Sequence, residues 1–368
     1  MRIGLFHFLL PLPGVKPSGV DVAVHQLANA LARDGSDDVT VLSLCPRPAD
    51  ALYHHRRLLP DARWPYRSKV FRLYLLPAVL NGLHMAEGLD VLHLHGDDWF
   101  YVRRTCPTVR TLHGTALYES RTATSLRRKM SQGIVYGLEH LAARLATVSL
   151  GVGPDTVRLY GLDQIIDNGV DTARFHPGPP GSKAAAPTVL FVGTWAGRKR
   201  GSFLYEKFVN AVRPAVPGAE LVMVCDRPPP PSPGVRHVVT PTDDELAALY
   251  RSAWVFAYPS AYEGFGIPYL EAMASGTAVL ASPNDGANYV LRGGSLGRIV
   301  SDADFAPALV SLLLDDAARD RMAVAGRAAA EGLSWAAVAE QHRAVYRRAI
   351  GRWHGRHPAP SPGATVPT

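Results

Sequence analysis

Short, nearly continuous apolar runs alternate with longer stretches of helical periodicity along the whole chain. This alternation limits the fold more than any other feature. The runs fall at 2–10, 38–44, 90–95, 108–113, 145–150 and 164–168, then at 188–194, 220–225, 235–240, 254–259, 278–282 and 297–300. Helical patterns lie between them, notably at 19–33, 125–143, 202–213, 243–252, 267–275, 303–314, 318–331 and 335–353. Strands that are apolar on both faces and separated by helices belong to parallel sheets covered on both sides. The Pro- and Gly-rich segment His176–Pro187 divides the pattern almost in half. The expectation is therefore α/β: two Rossmann-like, doubly wound domains facing a central cleft at the carboxyl ends of their strands. The expected division is 1–175, a linker at 176–187, a second domain at 188–334, a last helix at 335–353 with Ser334 as N-cap, and a disordered tail at 354–368. Arg227–Pro233, with five prolines in seven residues, reads as a stiff loop.

The 368 residues suffice for two domains, and 47% hydrophobic against 19% charged content requires a packed core. A formal charge of +7 favours anionic partners: nucleotide diphosphates, acidic membrane surfaces or nucleic acid. No long basic run or nucleic-acid-binding motif is present, so nucleic acid is not expected. Cys45, Cys106 and Cys225 are far apart and odd in number, which argues against a disulfide framework or structural zinc and suits a reducing cytoplasm. The apolar start is broken by His7, Pro11 and Pro13 and reads as a first strand, not a signal or a span.

Glu263-Gly-Phe-Gly-Ile-Pro-Tyr-Leu-Glu271 follows the run at 254–259. Pro268 suits a first helical position. Gly264 and Gly266 allow a backbone to approach a ligand, and the N–H groups of the helix start would face an anion. Glu263 then sits in the loop and Glu271 one turn into the helix. That arrangement suits an anionic centre flanked by hydroxyls, as in a nucleotide-sugar. Val192-Gly-Thr-Trp-Ala-Gly-Arg198-Lys199-Arg200-Gly201 places three cations in a glycine-flanked loop, fit for a diphosphate or, more plainly, for solvent. Pro17-Ser18-Gly19-Val20-Asp21 opens a helix where a phosphate could approach. His113-Gly114 ends an apolar run at the cleft. His93 and His95 alternate on their strand without a supporting carboxylate set, so they line the cleft or hold a loop rather than bind metal. Asn168-Gly169 suits a tight turn. Asp302-Ala-Asp304 spells D-x-D but opens a helix, which points to capping. No G-x-G-x-x-G follows the first strand and no G-x-x-x-x-G-K-[ST] occurs.

Pro259-Ser260-x-x-Glu263-Gly-Phe-Gly-Ile-Pro268-x-x-Glu271-Ala-Met-Ala-x-Gly276 resembles the donor-site signature of family-four, retaining glycosyltransferases with the GT-B fold. Residues 108–115 and 164–175 resemble the same family. The resemblance implies metal-independent, retaining transfer from a nucleotide-diphosphate sugar, a UDP-sugar first and a guanosine one next, to a hydroxylated acceptor. No cofactor is implied. Glu271 would hold the ribose hydroxyls. Glu263 and the backbone of Gly264, Phe265, Gly266 and Ile267 would hold the transferred sugar, with His113 beside sugar and acceptor. Arg198, with Lys199 or Arg200, would take the diphosphate, and Gly19 the pyrophosphate or acceptor side. Asn168 is a substrate contact or a structural turn. The last helix would return to the first domain.

This chain departs from the family in having Ser18-Gly19 for Gly-Gly and Thr194 for an early arginine, with a loop one residue longer. Lys199 and Arg200 therefore remain alternatives. An epimerase or phosphorylase on this fold, or a non-catalytic sugar-nucleotide-binding protein, would differ in not releasing nucleotide only when an acceptor is present. Acceptor contacts would come from 46–68 and 96–106, with Tyr53, Arg56, Trp64, Tyr66, Trp99 and Tyr101; glycolipid, polysaccharide, sugar alcohol and secondary-metabolite aglycone all stay open. Arg127-Arg128-Lys129, with Leu126, Met130, Ile134 and Leu138, forms a helix face that could lie on the anionic inner side of a membrane or turn into the core.

Overall fold

The computed structural model describes residues 1–12, 17–59, 71, 75–96, 98–122 and 125–356. Trp64, Tyr66 and the tail from His357 lie outside the described residues.

Among the described residues thirteen strands form two parallel sheets. The first contains β1 (Arg2–Phe6), β2 (Asp38–Ser43), β3 (His54–Arg57), β4 (Val91–Leu94), β5 (Thr108–Leu112), β6 (Val148–Gly151) and β7 (Gln164–Ile165), in the order β3-β2-β1-β4-β5-β6-β7. The second contains β8 (Thr188–Val192), β9 (Glu220–Val224), β10 (Val235–Val238), β11 (Val255–Tyr258), β12 (Ala278–Ala281) and β13 (Arg298–Ile299), in the order β10-β9-β8-β11-β12-β13. The order reverses between β1 and β4 and again between β8 and β11. Crevices open at such switch points. Central strands such as Val255-Phe-Ala-Tyr258 are buried throughout because helices cover both faces. The chain is thus two α/β domains, each with its own core.

The ladders stop earlier than the apolar runs. β1 is bounded at Phe6, although backbone bonds to the neighbouring segment run on through His7 to Leu42 and Leu44 to Phe8; beyond these the Leu10 N–H donates to Cys45 Sγ at 3.2 Å. β3 reads His-His-Arg-Arg on an exposed edge and carries no apolar period. Four helices at Leu76–Leu80, Ala116–Thr122, Pro154–Tyr160 and Asp285–Val290 are too short to show one. The expected helix 202–213 is interrupted: Gly201–Lys207 passes into a π-turn over Phe208–Val212. Cys45, Cys106 and Cys225 are buried free thiols.

The linker is fastened to the second domain. Lys183 Nζ donates to the carbonyls of Ala253 and Gly276 and to Thr277 Oγ1, and the Trp254 indole donates to the Ala184 carbonyl. The last helix runs from Trp335 to Arg356, so residues 354–356 are helix rather than tail. Ser334 Oγ accepts from the Ala337 N–H at 3.4 Å. Val338, Ala339, Tyr346 and Ala349 of this helix share one core with Ile3, Leu5 and Val91 of the first sheet. Arg343 fixes the docking through Asp37 at 2.6 Å, Asp34 at 3.1 Å and the Leu31 carbonyl at 3.0 Å. The two crossing segments bond to each other: Val170 N–H to Leu333 O, and Trp335 N–H to Val170 O. Among the described residues no helix is long and apolar enough to cross a membrane.

Gly169 lies flat on Trp335 at this crossing, and a methyl there would sit 2.6 Å from the indole. Overpacking of this kind costs about 1–3 kcal/mol. Gly169→Ala is expected to lower stability by that amount in denaturant unfolding, whereas Gly351→Ala, with open space around it, should not.

Candidate active site

The second domain supplies one wall. β11 delivers Ser260 and Glu263 into a loop that ends at Gly266, whose φ of 100° favours glycine and caps the helix Ile267–Ala274. The helix begins at Ile267, so Pro268 occupies the second position rather than the expected first. A Cβ on Gly266 would meet the Tyr269 ring at 2.4 Å. Glu263 is buried, and its Oε1 accepts from Lys199 Nζ at 2.6 Å and Ser260 Oγ at 2.5 Å, with Arg198 Nη1 3.0 Å away. Burial raises the Glu263 carboxyl, but Lys199 and Arg198 outweigh it and hold the group below its ordinary range. Lys199 also donates to the Tyr258 hydroxyl and lies 4.7 Å over that ring.

The cationic loop sorts its three charges by backbone shape. Gly197–Lys199 form a 3-10 turn, and Arg200 is left-handed at φ 58°. Arg198 and Lys199 therefore face Glu263, while Arg200 turns away to Asp302 at 2.5 Å and stacks 4.2 Å over Phe203. The D-x-D pair is explained by this. Asp302 is the partner of Arg200, and Asp304 stands at the N-cap of Phe305–Leu314 but makes no side-chain cap bond; it accepts from the Ser301 hydroxyl at 2.6 Å. The expected side-chain capping is thereby corrected, because Ser301 competes for the carboxylate.

Glu271 is the fifth residue of its helix and is half-buried. Among the described residues it makes no ion pair, and burial pushes its carboxyl up to about 7.

The first domain supplies the facing wall. The His113 carbonyl and Gly114 Cα lie 2.6 and 3.0 Å from where a Cβ on Gly264 would be. Across the same gap the Thr115 N–H donates to the Tyr262 hydroxyl at 3.0 Å. Gly19 opens the helix Gly19–Ala32 behind the Ser18–Asp21 capping box, and a Cβ there would lie 4.0 Å from Ile267 Cδ1. His113 Nε2 lies 3.0 Å from His95 Nδ1. Burial pulls His113 down to about 3 and His342 to about 4, and takes His93 and His95 well below their ordinary value, so the group is uncharged. His93 is saturated by Tyr346 and Thr111, each at 2.8 Å. Buried Asn168 lines a small space shared with His95, Thr111, His113 and Trp335. Among the described residues no three His, Cys, Asp or Glu side chains are placed to hold a metal ion.

His113, Gly19, Arg198, Lys199, Glu263, Gly264 and Ile267 therefore converge on one cleft, with Glu271 on the helix that follows and Arg200 outside it. Sequence reasoning overlooked Tyr258, Tyr262 and the His7–Asp21 pair. Only Tyr262 had a visible signal, its place directly before Glu263.

Two parallel-sheet domains with their loops meeting across a cleft define the GT-B class of glycosyltransferase. Residues 17–174 match the model of Glycosyltransferase Family 4, and residues 186–315 that of Glycosyl transferases group 1. The chain belongs to this family and is a glycosyltransferase. It is 30% identical to a phosphatidyl-myo-inositol mannosyltransferase of Mycobacterium leprae over 94% of this chain and 96% of that one. Among solved structures, sucrose-phosphate synthase of Thermosynechococcus elongatus superposes with a TM-score of 0.77 at 22% identity, covering 95% of this chain and 99% of that one. Anabaena Alr3699/HepE in complex with UDP-glucose gives 0.72 at 16%, covering 95% and 100%.

Gly264→Ala would press a methyl against the His113 carbonyl and hold the walls apart. A misplacement of this size costs about a hundredfold in rate. The variant is expected to lose about that much kcat/KM in sugar transfer, and to lose about 1–3 kcal/mol of stability as well, so the rate is compared at a temperature where both proteins are folded.

Proposed function

We propose that the chain is a retaining, metal-independent glycosyltransferase that moves a sugar from a nucleotide-diphosphate donor, a UDP-sugar, to a hydroxyl of a polyol acceptor. The observation that carries this reading is the buried Glu263 carboxylate held by Lys199 and Arg198, next in the chain to Gly264, whose backbone faces the His113 carbonyl. The two cations are preorganised where a departing diphosphate gathers charge, and such fixed stabilisation is the largest catalytic contribution in most enzymes. Glu263 and the backbone of Gly264–Ile267 grip the transferred sugar, His113 meets its far side, and Gly19 bounds the acceptor side. Glu271 accepts from the ribose hydroxyls. The acceptor oxygen attacks C1 from the face the diphosphate leaves. The C1–O bond to phosphate breaks, the new bond forms on the same face, and the leaving phosphate oxygen takes the hydroxyl proton. The solved neighbour bound to UDP-glucose supports a uridine donor. The relative named for phosphatidyl-myo-inositol supports a cyclic polyol as acceptor. Domain closure limits hydrolysis of the donor.

A thermal-shift screen of UDP, GDP, ADP and dTDP, with and without magnesium, tests the donor site. UDP is expected to shift the melting temperature without magnesium, and Glu271→Ala to abolish the shift. Because ribose hydroxyls need the ionised carboxylate, UDP affinity should hold above pH 7 and weaken as pH falls through about 7, by about tenfold at pH 6. A shift that needs magnesium, or survives Glu271→Ala unchanged, contradicts the reading. Nucleotide release without any acceptor points instead to hydrolysis or epimerisation.

The helix Leu126–Leu145 supports peripheral contact with an anionic membrane at the inner face. Leu126, Met130 and Ile134 stand on one side of it at 74, 66 and 50% exposure, between exposed Arg127 and Lys129. Apolar residues one turn apart facing water are not explained by core packing, whereas they suit an interfacial helix. The Arg128 side chain lies outside the described residues. Wild type is expected to co-sediment with phosphatidylglycerol vesicles and not with phosphatidylcholine ones. Replacing Leu126, Met130 and Ile134 with Ser should release it; binding that survives this change sinks the idea.

A further inference from the structure

β12 ends at Ala281, and the chain turns through Ser282-Pro-Asn284 into the helix Asp285–Val290. Asn284 is the N-cap of that helix and is nine-tenths buried. Its Oδ1 accepts from the Ala287 N–H at 2.8 Å. Its Nδ2 offers two protons to three oxygens: the Ser260 carbonyl at 2.9 Å, the Ser282 carbonyl at 3.1 Å and the Tyr269 hydroxyl at 3.1 Å. These partners fix which way the amide faces, because a backbone N–H only donates and a carbonyl only accepts. Two residues on, the Gly286 N–H donates to the Glu263 carbonyl at 3.2 Å. A Cβ on Gly286 would lie 2.6 Å from the Phe265 carbonyl oxygen and 2.8 Å from both the Glu263 carbonyl oxygen and Glu263 Cβ. Only glycine lets the helix start come this close.

An N-cap needs only an oxygen for the free N–H groups of the first turn, and serine, threonine or aspartate would supply one. The donors of Asn284 Nδ2 go beyond that need. They hold the Ser260 carbonyl, and the hydroxyl of the same Ser260 donates to Glu263 Oε1 at 2.5 Å. The Gly286 N–H holds the other end of this short segment, at the Glu263 carbonyl. Lys199 and Arg198 reach the Glu263 carboxylate from the loop after β8. In the sheet, β11 lies between β8 and β12. Glu263, in the loop after β11, is therefore held by charge from one neighbour and by backbone hydrogen bonds from the other. A ligand that drew the cations away would leave the second hold in place.

We infer that Asn284 and Gly286 are positioning residues: the turn after β12 fixes the backbone on both sides of Glu263, so that its carboxylate and the Gly264–Ile267 backbone keep their places when the cations turn to a diphosphate. Asn284 acts through Ser260, and Gly286 through the Glu263 carbonyl. The bond to Tyr269 joins the same turn to the helix that carries Glu271. The consequence for transfer rests on the function proposed above; the hold on the loop does not.

The test compares Asn284→Ser with the wild type in the full chain. Serine keeps a cap oxygen and removes the amide donors. Hydrogen exchange is followed by mass spectrometry on peptide 259–266, in which the Ala261 N–H is bonded to the Arg198 carbonyl at 2.7 Å. It is expected to quicken there by about fivefold to tenfold, as for the loss of one buried hydrogen bond, while peptide 286–292 of the capped helix exchanges as in wild type. The kcat for transfer should fall by roughly tenfold to a hundredfold, with UDP affinity within about twofold. Wild-type exchange at 259–266 overturns the inference even if transfer slows. Exchange that quickens alike in both peptides shows that Asn284 serves as a cap alone, and overturns its positioning role too. Gly286→Ala keeps the side-chain bonds of Asn284 and introduces a better helix former, so a role confined to the helix predicts no loss of kcat. A fall of the same order supports the inference, and an unchanged kcat overturns the part of Gly286. Faster exchange at 259–266 in Asn284→Ser with an unchanged kcat leaves the hold on the loop standing and contradicts the proposed part of Glu263 in transfer.

Discussion

A carboxylate with almost no access to water must be paired, and Glu263 is such a group. The cost of burying an ion is several kcal/mol, recovered only with close partners. Lys199 and Arg198 are those partners, and they come from the loop after β8, whereas Glu263 comes from the loop after β11. These are the two strands on either side of the order reversal in the second sheet. One ion cluster therefore ties together the two loops that border the crevice. The Ala261 N–H to Arg198 carbonyl bond, at 2.7 Å, reinforces the tie through the backbone. On the function proposed above, a diphosphate would meet cations already ordered, so little binding energy would be lost in fixing side chains.

The facing walls meet with almost no side chain between them. Gly264 against His113 and Gly114 is backbone on backbone, and the Tyr262 hydroxyl reaches over to the Thr115 N–H. Loop 262–264 thus senses the position of the opposite domain while its next-door carboxylate holds the cations. At the other end of the cleft, Asp167 accepts from the Tyr289 hydroxyl at 2.8 Å, close to where the chain crosses at Val170 and Trp335. These contacts and the double crossing between them couple the two domains at the site.

The fold was legible where burial imposes a pattern. Val255–Tyr258 and Ala278–Ala281 can only be buried strands, and the helix expected over 243–252 is found at Asp243–Ser252. β3 was not legible, because His54-His-Arg-Arg pairs by backbone alone on an edge that needs no apolar face. The site shows the same division. The motif from Pro259 to Gly276 is chemical and visible in order. The choice between Lys199 and Arg200 is conformational: a left-handed residue at position 200 sends its side chain to Asp302, and nothing in three adjacent cations marks which of them will do so. His95 was visible as a residue but not as a partner of His113, since that contact joins two strands and depends on register.

The two glutamates of the motif are eight residues apart and share one short segment, yet their environments drive them in opposite directions. Glu263 sits deep, and two cations overcome its burial, so it stays ionised with its oxygen already engaged. Glu271 is less deep, lacks an ion pair, and rises to about 7. Pairs of like groups separated in this way are how one site holds two chemical tasks. Glu263 is suited to a fixed structural charge around which the cations and the loop are organised. Glu271 has no cation to offset its burial, so in the proposed donor site hydroxyl donors from a ligand would stabilise its carboxylate. Spacing alone makes the two residues look symmetrical about the glycines; the cations of the neighbouring loop break that symmetry.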